Sequence, residues 1–201
     1  MGNSSLLSLQ KEPNPQGKGL VPVLQDWSTM RTGALERKSP ADFLRDYCIS
    51  SLVLSATFGF KPVVEKTYFL YARKKGLSLS LIAPFEWGNI DSVEFLGSCH
   101  LRSDMTWEMS ISLLDEESNG LANARTYIRE FLASLSEQSA ICDHLPFYTA
   151  ELPYYQRMLS TALASSLQQS LPDTGDDVKA LLSHQPGLLS MIKVTEQLNY
   201  S

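Results

Sequence analysis

The sequence predicts an α+β fold, a four-stranded antiparallel meander covered by an N-terminal helix and several C-terminal helices. Three observations predict it. Met105, Trp107, Met109, Ile111 and Leu113 alternate without interruption with Asp104, Thr106, Glu108, Ser110 and Ser112, the period-two pattern of a half-buried strand. Leu77, Leu79 and Leu81 alternate with Ser78 and Ser80 directly after Lys74-Lys75-Gly76, a polar turn whose glycine is free to take positive φ. Apolar residues then recur at three- and four-residue spacing on both sides of this region, as they do on amphipathic helices.

Residues 1–38 show neither periodicity and carry Pro13, Pro15, Pro22, Gly17, Gly19 and Gly33, so they read as an extended arm. Within it, Leu20-Val21-Pro22-Val23-Leu24 and Trp27 are too apolar for a fully solvated tail. They suit docking against the chain's own domain or, by strand addition, on another subunit or partner. Gly17-Lys18-Gly19 lacks the spacing and the preceding strand of a phosphate-binding loop.

The domain proper is assigned to residues 39–201, with a helix over 39–59, the sheet over 67–114 and a helical part over 116–199. Ser39 is the expected N-cap, with Pro40 in the first turn and Asp42 facing the positive end of the helix dipole. Phe43, Leu44, Tyr47, Cys48, Ser51, Leu52 and Ser55 form its buried stripe, and the helix ends near Gly59. Thr67 to Ala72 is apolar on both faces, which places this strand centrally. A third strand runs from about Val93 to Leu101, and Arg102-Ser103-Asp104 turns it into the fourth. Pro84 to Ser92 is longer than a hairpin needs and carries Glu86 beside Trp87.

After the sheet, Asp115-Glu116-Glu117-Ser118 caps a helix whose stripe is Leu121, Ala124, Ile128, Phe131, Leu132 and Leu135. Pro146 and Pro153 bracket a connection into a second helix carrying Tyr154, Tyr155, Met158, Leu159, Ala162, Leu163, Ser166 and Leu167. Asp173 with Asp176 starts a short third, and Pro186-Gly187 precedes a last segment over Leu188 to Leu198. The apolar surface of these helices is enough to suit a homodimer seam.

Composition excludes several classes. The chain has 201 residues, 43% hydrophobic and 19% charged, long enough for a substantial core. Seventeen basic against 22 acidic residues give a net charge of −5, which argues against nucleic acid as ligand. The one basic run, Arg73-Lys74-Lys75, sits at a hairpin tip where solvated charge is expected. Three widely spaced cysteines, Cys48, Cys99 and Cys142, give no disulfide framework and no zinc pattern, and Cys48 reads as a small buried hydrophobe. The first residues lack a signal-peptide pattern, Leu6 stands where a myristoylation motif wants Ser or Thr, and Ile49 to Phe60 is too short to span a bilayer. The expectation is a soluble, cytoplasmic protein without membrane contact.

One series of blocks resembles a known family. Tyr68-Phe69-Leu70-Tyr71, Gly76, Ser80-Leu81-Ile82-Ala83-Pro84-Phe85-Glu86-Trp87-Gly88, Phe95-Leu96-Gly97 and Leu101-Arg102-Ser103-Asp104-Met105-Thr106-Trp107 are similar in order to the motifs of the domain-of-unknown-function family numbered 2452. Asn14 to Pro22 also resembles the opening of its bacterial members. The resemblance implies that the sheet is a unit, and it implies no activity, cofactor or catalytic residue.

No G-x-S-x-G elbow, H-E-x-x-H helix or glycine-rich dinucleotide loop is present. His100 follows Cys99 on a strand, so the two point to opposite faces and do not share a metal; Cys142-Asp143-His144 lacks a second ligand pair. Neither a metal nor a cofactor is therefore expected. The candidate ligand-binding residues are Tyr68, Tyr71, Glu86, Trp87, Asp104 and Trp107, where aromatics outnumber well-placed titratable groups. The favoured function is a non-enzymatic binding or assembly module that holds a protein or small-molecule ligand on the aromatic sheet and the Glu86-Trp87 loop. The alternative is a small hydrolase using Glu86 as acid or base with His100 or Asp104. For Asp104 and Glu86 the structural reading is a turn former and a cap on nearby backbone amides.

Overall fold

The computed structural model describes residues 35–86, 93–111, 119–135, 139–146, 151–173 and 177–182. Helix α1, Pro40–Leu54, starts as its sequence dictates: the Asp42 N–H donates to Ser39 Oγ at 3.1 Å, and Pro40 occupies the first turn. It stops at Leu54, short of Gly59, because Ser55 donates its hydroxyl to Leu52 O and the chain then turns extended. Thr57 forms a parallel bridge with Ser78, so tertiary pairing claims residues that the helical period had included.

Four strands follow: β1 Thr67–Arg73, β2 Gly76–Ser80, β3 Val93–Leu101 and β4 Trp107–Ile111. The pairings among these four strands are antiparallel, in agreement with the predicted class, and β1 is interior as its two apolar faces require. The strand order is β2-β1-β3-β4, which corrects the expected meander. Two hairpins, β1–β2 and β3–β4, lie side by side through a β1–β3 seam, and the connection after β2 carries the chain back past β1. Alternation within a strand reports which face a residue takes and carries no information about its neighbour, so the order was not readable from it.

Gly76, at φ 125°, closes the first hairpin after the exposed Lys74 and Lys75. The second closes through Met105, a non-glycine residue at φ 64°. Met105 therefore belongs to the turn rather than to the strand, yet its side chain is buried. Leu81, expected to continue β2, lies beyond its end and is 45% exposed. Along the β1–β3 seam the register slips between Leu70 and Tyr71, leaving Leu96 as an extra residue that turns inward.

The buried face of the sheet presents Tyr68, Leu70, Leu79, Cys99, Leu101, Trp107 and Met109 to the helices. Helix α1 lies along β4, where the buried Ser50 Oγ accepts the Trp107 backbone N–H at 2.8 Å. That bond satisfies a main-chain donor that the end of the ladder would otherwise strand. Helix α2, Asn119–Ser134, docks through Ala124 and Ile128, and Tyr127 donates to Ser51 O at 3.1 Å. Helix α3, Tyr154–Gln169, buries Tyr154, Met158, Leu159, Ala162, Leu163, Ser166 and Leu167, the stripe its spacing predicts except for Tyr155, which is half-buried. Its buried Gln156 donates to Leu54 O at 3.2 Å and Ala56 O at 2.6 Å, taking up carbonyls that the end of α1 leaves unpaired. Helix α4, Val178–Leu182, is capped by Asp177, which accepts the Ala180 N–H, in place of the acidic residues expected to start it. Residues 1–34 of the arm, the caps at 115–118 and the last segment from 188 lie outside the described residues.

Candidate functional site

Five of the six candidate residues are described, and they fall into three places. Tyr68 and Trp107 meet edge to face at 5.8 Å, but in the core: both are at most 1% exposed, and Tyr68 OH accepts the Val63 N–H at 2.6 Å. They hold the sheet to its helices. Burial raises the Tyr68 pKa, partly opposed by its bond to Val63, so the phenol stays neutral. Trp87 lies outside the described residues.

Asp104 belongs to a charged cluster at the β3–β4 turn. Lys38 Nζ sits 2.7 Å from Asp104 Oδ2 and 2.7 Å from Asp46 Oδ2, bridging the sheet to α1. Arg102 Nη2 approaches Asp46 Oδ1 at 2.6 Å, and Arg102 also donates to Thr106 Oγ1 through Nε and Nη2. Asp104 Oδ1 accepts the Thr106 N–H at 3.0 Å and its hydroxyl at 2.5 Å, the turn-forming role expected of it. Burial pushes the Asp104 pKa up, but the hydrogen bonds from Lys38 and Thr106 and the Lys38 charge outweigh it, and the net shift is downward. Burial likewise works against the Arg102 cation, and the Asp46 carboxylate overcomes it, so its pKa rises. The cluster ties the start of α1 to the turn. Asp46, on α1 and 2% exposed, has no sequence signal, because its partner Arg102 lies far along the chain and leaves no local pattern.

Tyr71 and Glu86 share the third place, on the sheet face away from the helices. The Tyr71 ring packs against Phe95 at 5.5 Å, and Phe69 stands 6.2 Å from Phe95. The registers set Ser80 and Ser98 across from Phe69, Ser110 across from Ser98, and Ser78 across from Tyr71. Two cross-strand rows of this face are therefore aromatic and hydroxylic without a formal charge. One row further toward the β3–β4 turn, Thr67 Oγ1 lies 2.8 Å from His100 Nε2, with Glu108 opposite His100. Phe69 and Phe95 are half-buried.

The connection after β2 returns to this face. Tyr71 OH donates to Ile82 O at 2.8 Å, and Glu86 Oε2 accepts the Ala83 N–H at 2.8 Å, closing a 3-10 turn over Pro84–Glu86. Glu86 thus has the backbone-capping role that competed with catalysis. The turn presents Leu81 and Ile82, each 45% exposed, and Phe85, 71% exposed. The groups named for hydrolysis hold separate partners: Glu86 the Ala83 amide, His100 the Thr67 hydroxyl, and Asp104 the Lys38 cluster on the far side of the sheet. Phe69, Phe95 and the Leu81–Phe85 connection were missed as a surface, although β1 being apolar on both faces was the available signal.

Cys48 and Cys99 are buried among apolar side chains, and desolvation pushes the Cys48 thiol up to about 12 and the Cys99 thiol higher. As expected, Cys99 and His100 take opposite faces, one in the core and one half-buried. Among the described residues no group of three or more histidines, cysteines or carboxylates could hold a metal ion, and no helix is long and apolar enough to cross a membrane.

Residues 48–130 match the model of the family described as "Protein of unknown function (DUF2452)". The match starts within α1, spans the sheet and ends within α2, so it takes in every motif block from Tyr68 to Trp107. No curated protein and no solved structure matches the chain.

Proposed function

We propose that this chain, whose residues 48–130 carry the DUF2452 match, is a non-catalytic protein-binding module whose contact surface is the second sheet face and the Leu81–Phe85 connection. One observation carries the reading: Leu81, Ile82 and Phe85 are exposed on a connection bonded through Ile82 O to Tyr71, whose ring packs against the half-buried Phe95. Large apolar side chains displayed on a fixed connection, beside aromatics that carry no charge, form the kind of surface on which an extended apolar peptide gains contact area at low ordering cost. The half-buried Ser78, Ser80 and Ser110 supply hydroxyls that adapt to peptide main-chain groups. Ionisable residues are confined to the ends of the face, His100 and Glu108 at one and Arg73 at the other, which favours an uncharged segment between them.

A peptide-display selection on the full chain tests this. Peptides recovered are expected to be extended and apolar, to shift the amide resonances of β1, β3 and residues 81–86, and to lose at least about tenfold in affinity with Phe85→Ser or Phe95→Ser, the loss expected on truncating an aromatic contact. Recovery only of peptides indifferent to both substitutions would refute the reading.

A further inference from the structure

Resting on that reading, we infer that Tyr71 and Glu86 are positioning residues of the binding surface: they act on a partner through the Leu81–Phe85 connection, by holding it in its binding arrangement before the partner arrives. Tyr71 is 2% exposed, although it does not belong to the core between the sheet and the helices. A side chain so enclosed has no surface to offer a peptide. Its contribution is the hydroxyl, which donates to Ile82 O at 2.8 Å while the ring packs against Phe95 at 5.5 Å. The phenol thereby ties the connection to β1, an interior strand.

Glu86 closes the connection from its other end. Its Oε2 accepts the Ala83 N–H at 2.8 Å, and its own N–H donates to Ala83 O at 3.0 Å. On the β2 side the Ile82 N–H donates to Ser80 Oγ at 3.0 Å. The N–H and C=O groups of both Ile82 and Ala83 are therefore bonded within the protein, in a stretch that lies between β2 and the 3-10 turn. Surface connections commonly leave such groups to water and move accordingly. Here Ala83 is drawn in to 5% exposure, and Leu81, Ile82 and Phe85 are left outward around it.

Affinity follows from how often the surface is ready. The apparent Kd is the intrinsic value divided by the fraction of molecules in the competent arrangement. A connection that has lost one restraint and keeps the arrangement about a tenth of the time binds about tenfold more weakly, with no partner contact removed. That loss falls on association, because the complex once formed is the same. Removing a contact, as in Phe85→Ser, falls on dissociation.

Three full-chain variants, Tyr71→Phe, Glu86→Ala and Glu86→Gln, test this by amide hydrogen exchange of the free protein and by binding kinetics with a peptide recovered in the display selection. The Ile82 amide bonds to Ser80 Oγ, a contact that none of the substitutions removes, so it reports the connection as a whole. It is expected to be protected in the parent and to exchange at least about fivefold faster in Tyr71→Phe and Glu86→Ala, while the Leu70 and Cys99 amides of the sheet stay slow. The peptide's association rate should fall about fivefold to tenfold in the same two variants with dissociation unchanged. Glu86→Gln, whose amide oxygen still accepts the Ala83 N–H, should match the parent in both readouts.

An Ile82 amide that exchanges freely in the parent, or equally slowly in all variants, overturns the inference. A loss carried by dissociation would make the two residues direct contacts, and a loss in Glu86→Gln equal to that in Glu86→Ala would assign the effect to the carboxylate charge; either result overturns it too. If Phe85→Ser weakens the peptide while Tyr71→Phe and Glu86→Ala do not, the positioning role fails and the binding surface stands. If none of the three weakens it, the surface fails as well.

Discussion

Removing the Asp46 carboxylate should destabilise the fold more than any other single charge change. It is 2% exposed and faces Lys38 Nζ at 2.7 Å and Arg102 Nη2 at 2.6 Å, with Arg45 Nε at 3.5 Å. Breaking a buried pair from one side costs about 3–5 kcal/mol, because a charge that has given up most of its solvent is left without its counter-ion. Lys38 keeps Asp104 and Arg102 keeps Thr106, so Asp46→Ala should fall toward the lower end, about 3 kcal/mol. Asp46→Asn retains an acceptor for one of the two cations and should cost about 2 kcal/mol, within the range for hydrogen bonds to charged groups. Urea unfolding followed by tryptophan fluorescence measures both. For a chain of this size about 3 kcal/mol corresponds to a fall in Tm of roughly 6–12 °C. A cost below 1 kcal/mol for Asp46→Ala, with an unchanged urea dependence, would show that the cluster is solvated and that the sheet turn is not anchored to α1 through it.

Three further outcomes are expected. Trp107→Ala should cost about 3–5 kcal/mol, since the side chain is fully buried against Tyr68, and a melt within a degree or two of the parent would contradict its place in the core. Glu65→Gly should stabilise by about 0.5–1 kcal/mol by relieving a left-handed φ of 62° at an exposed position, and a loss of stability would mean that its side chain contributes more than the strain. Asp104 has a folded pKa below its ordinary 3.8, so its contribution is complete above that value and is lost as pH falls through the folded value. Acid titration of stability should therefore show a decline beginning near pH 4 that is shallower in Asp104→Asn, and identical slopes would remove Asp104 from the acid limb.

Local chemistry was legible where one residue decides it. Ser39 before Pro40 gave the helix start, Gly76 after two lysines gave the hairpin, and the alternation from Met105 to Leu113 gave the last strand, whose described part is Trp107–Ile111. The buried stripes of α2 and α3 follow from 3.6-residue spacing alone. What stayed hidden depends on contacts between distant positions. The end of α1 is set by Thr57 meeting Ser78, the strand order by the β1–β3 seam, and the charged cluster by Lys38 reaching both Asp46 and Asp104. The second face was obscured by the extra residue at Leu96, which breaks the alternation of β3 and hides that Phe95 shares a side with Phe69 and Tyr71.

The strand order also sets the sequence of events in folding. Each hairpin joins neighbours in the chain and can form in microseconds, whereas the seam between them pairs Thr67 with His100 and Arg73 with Val93, so it must wait for a long loop to close. Lengthening the connection after β2 should slow that closure while costing little at equilibrium, about 0.6 kcal/mol for each doubling. The connection that carries the exposed apolar residues is thus the part of this sheet where insertions, and with them new binding specificities, can accumulate without loss of the fold.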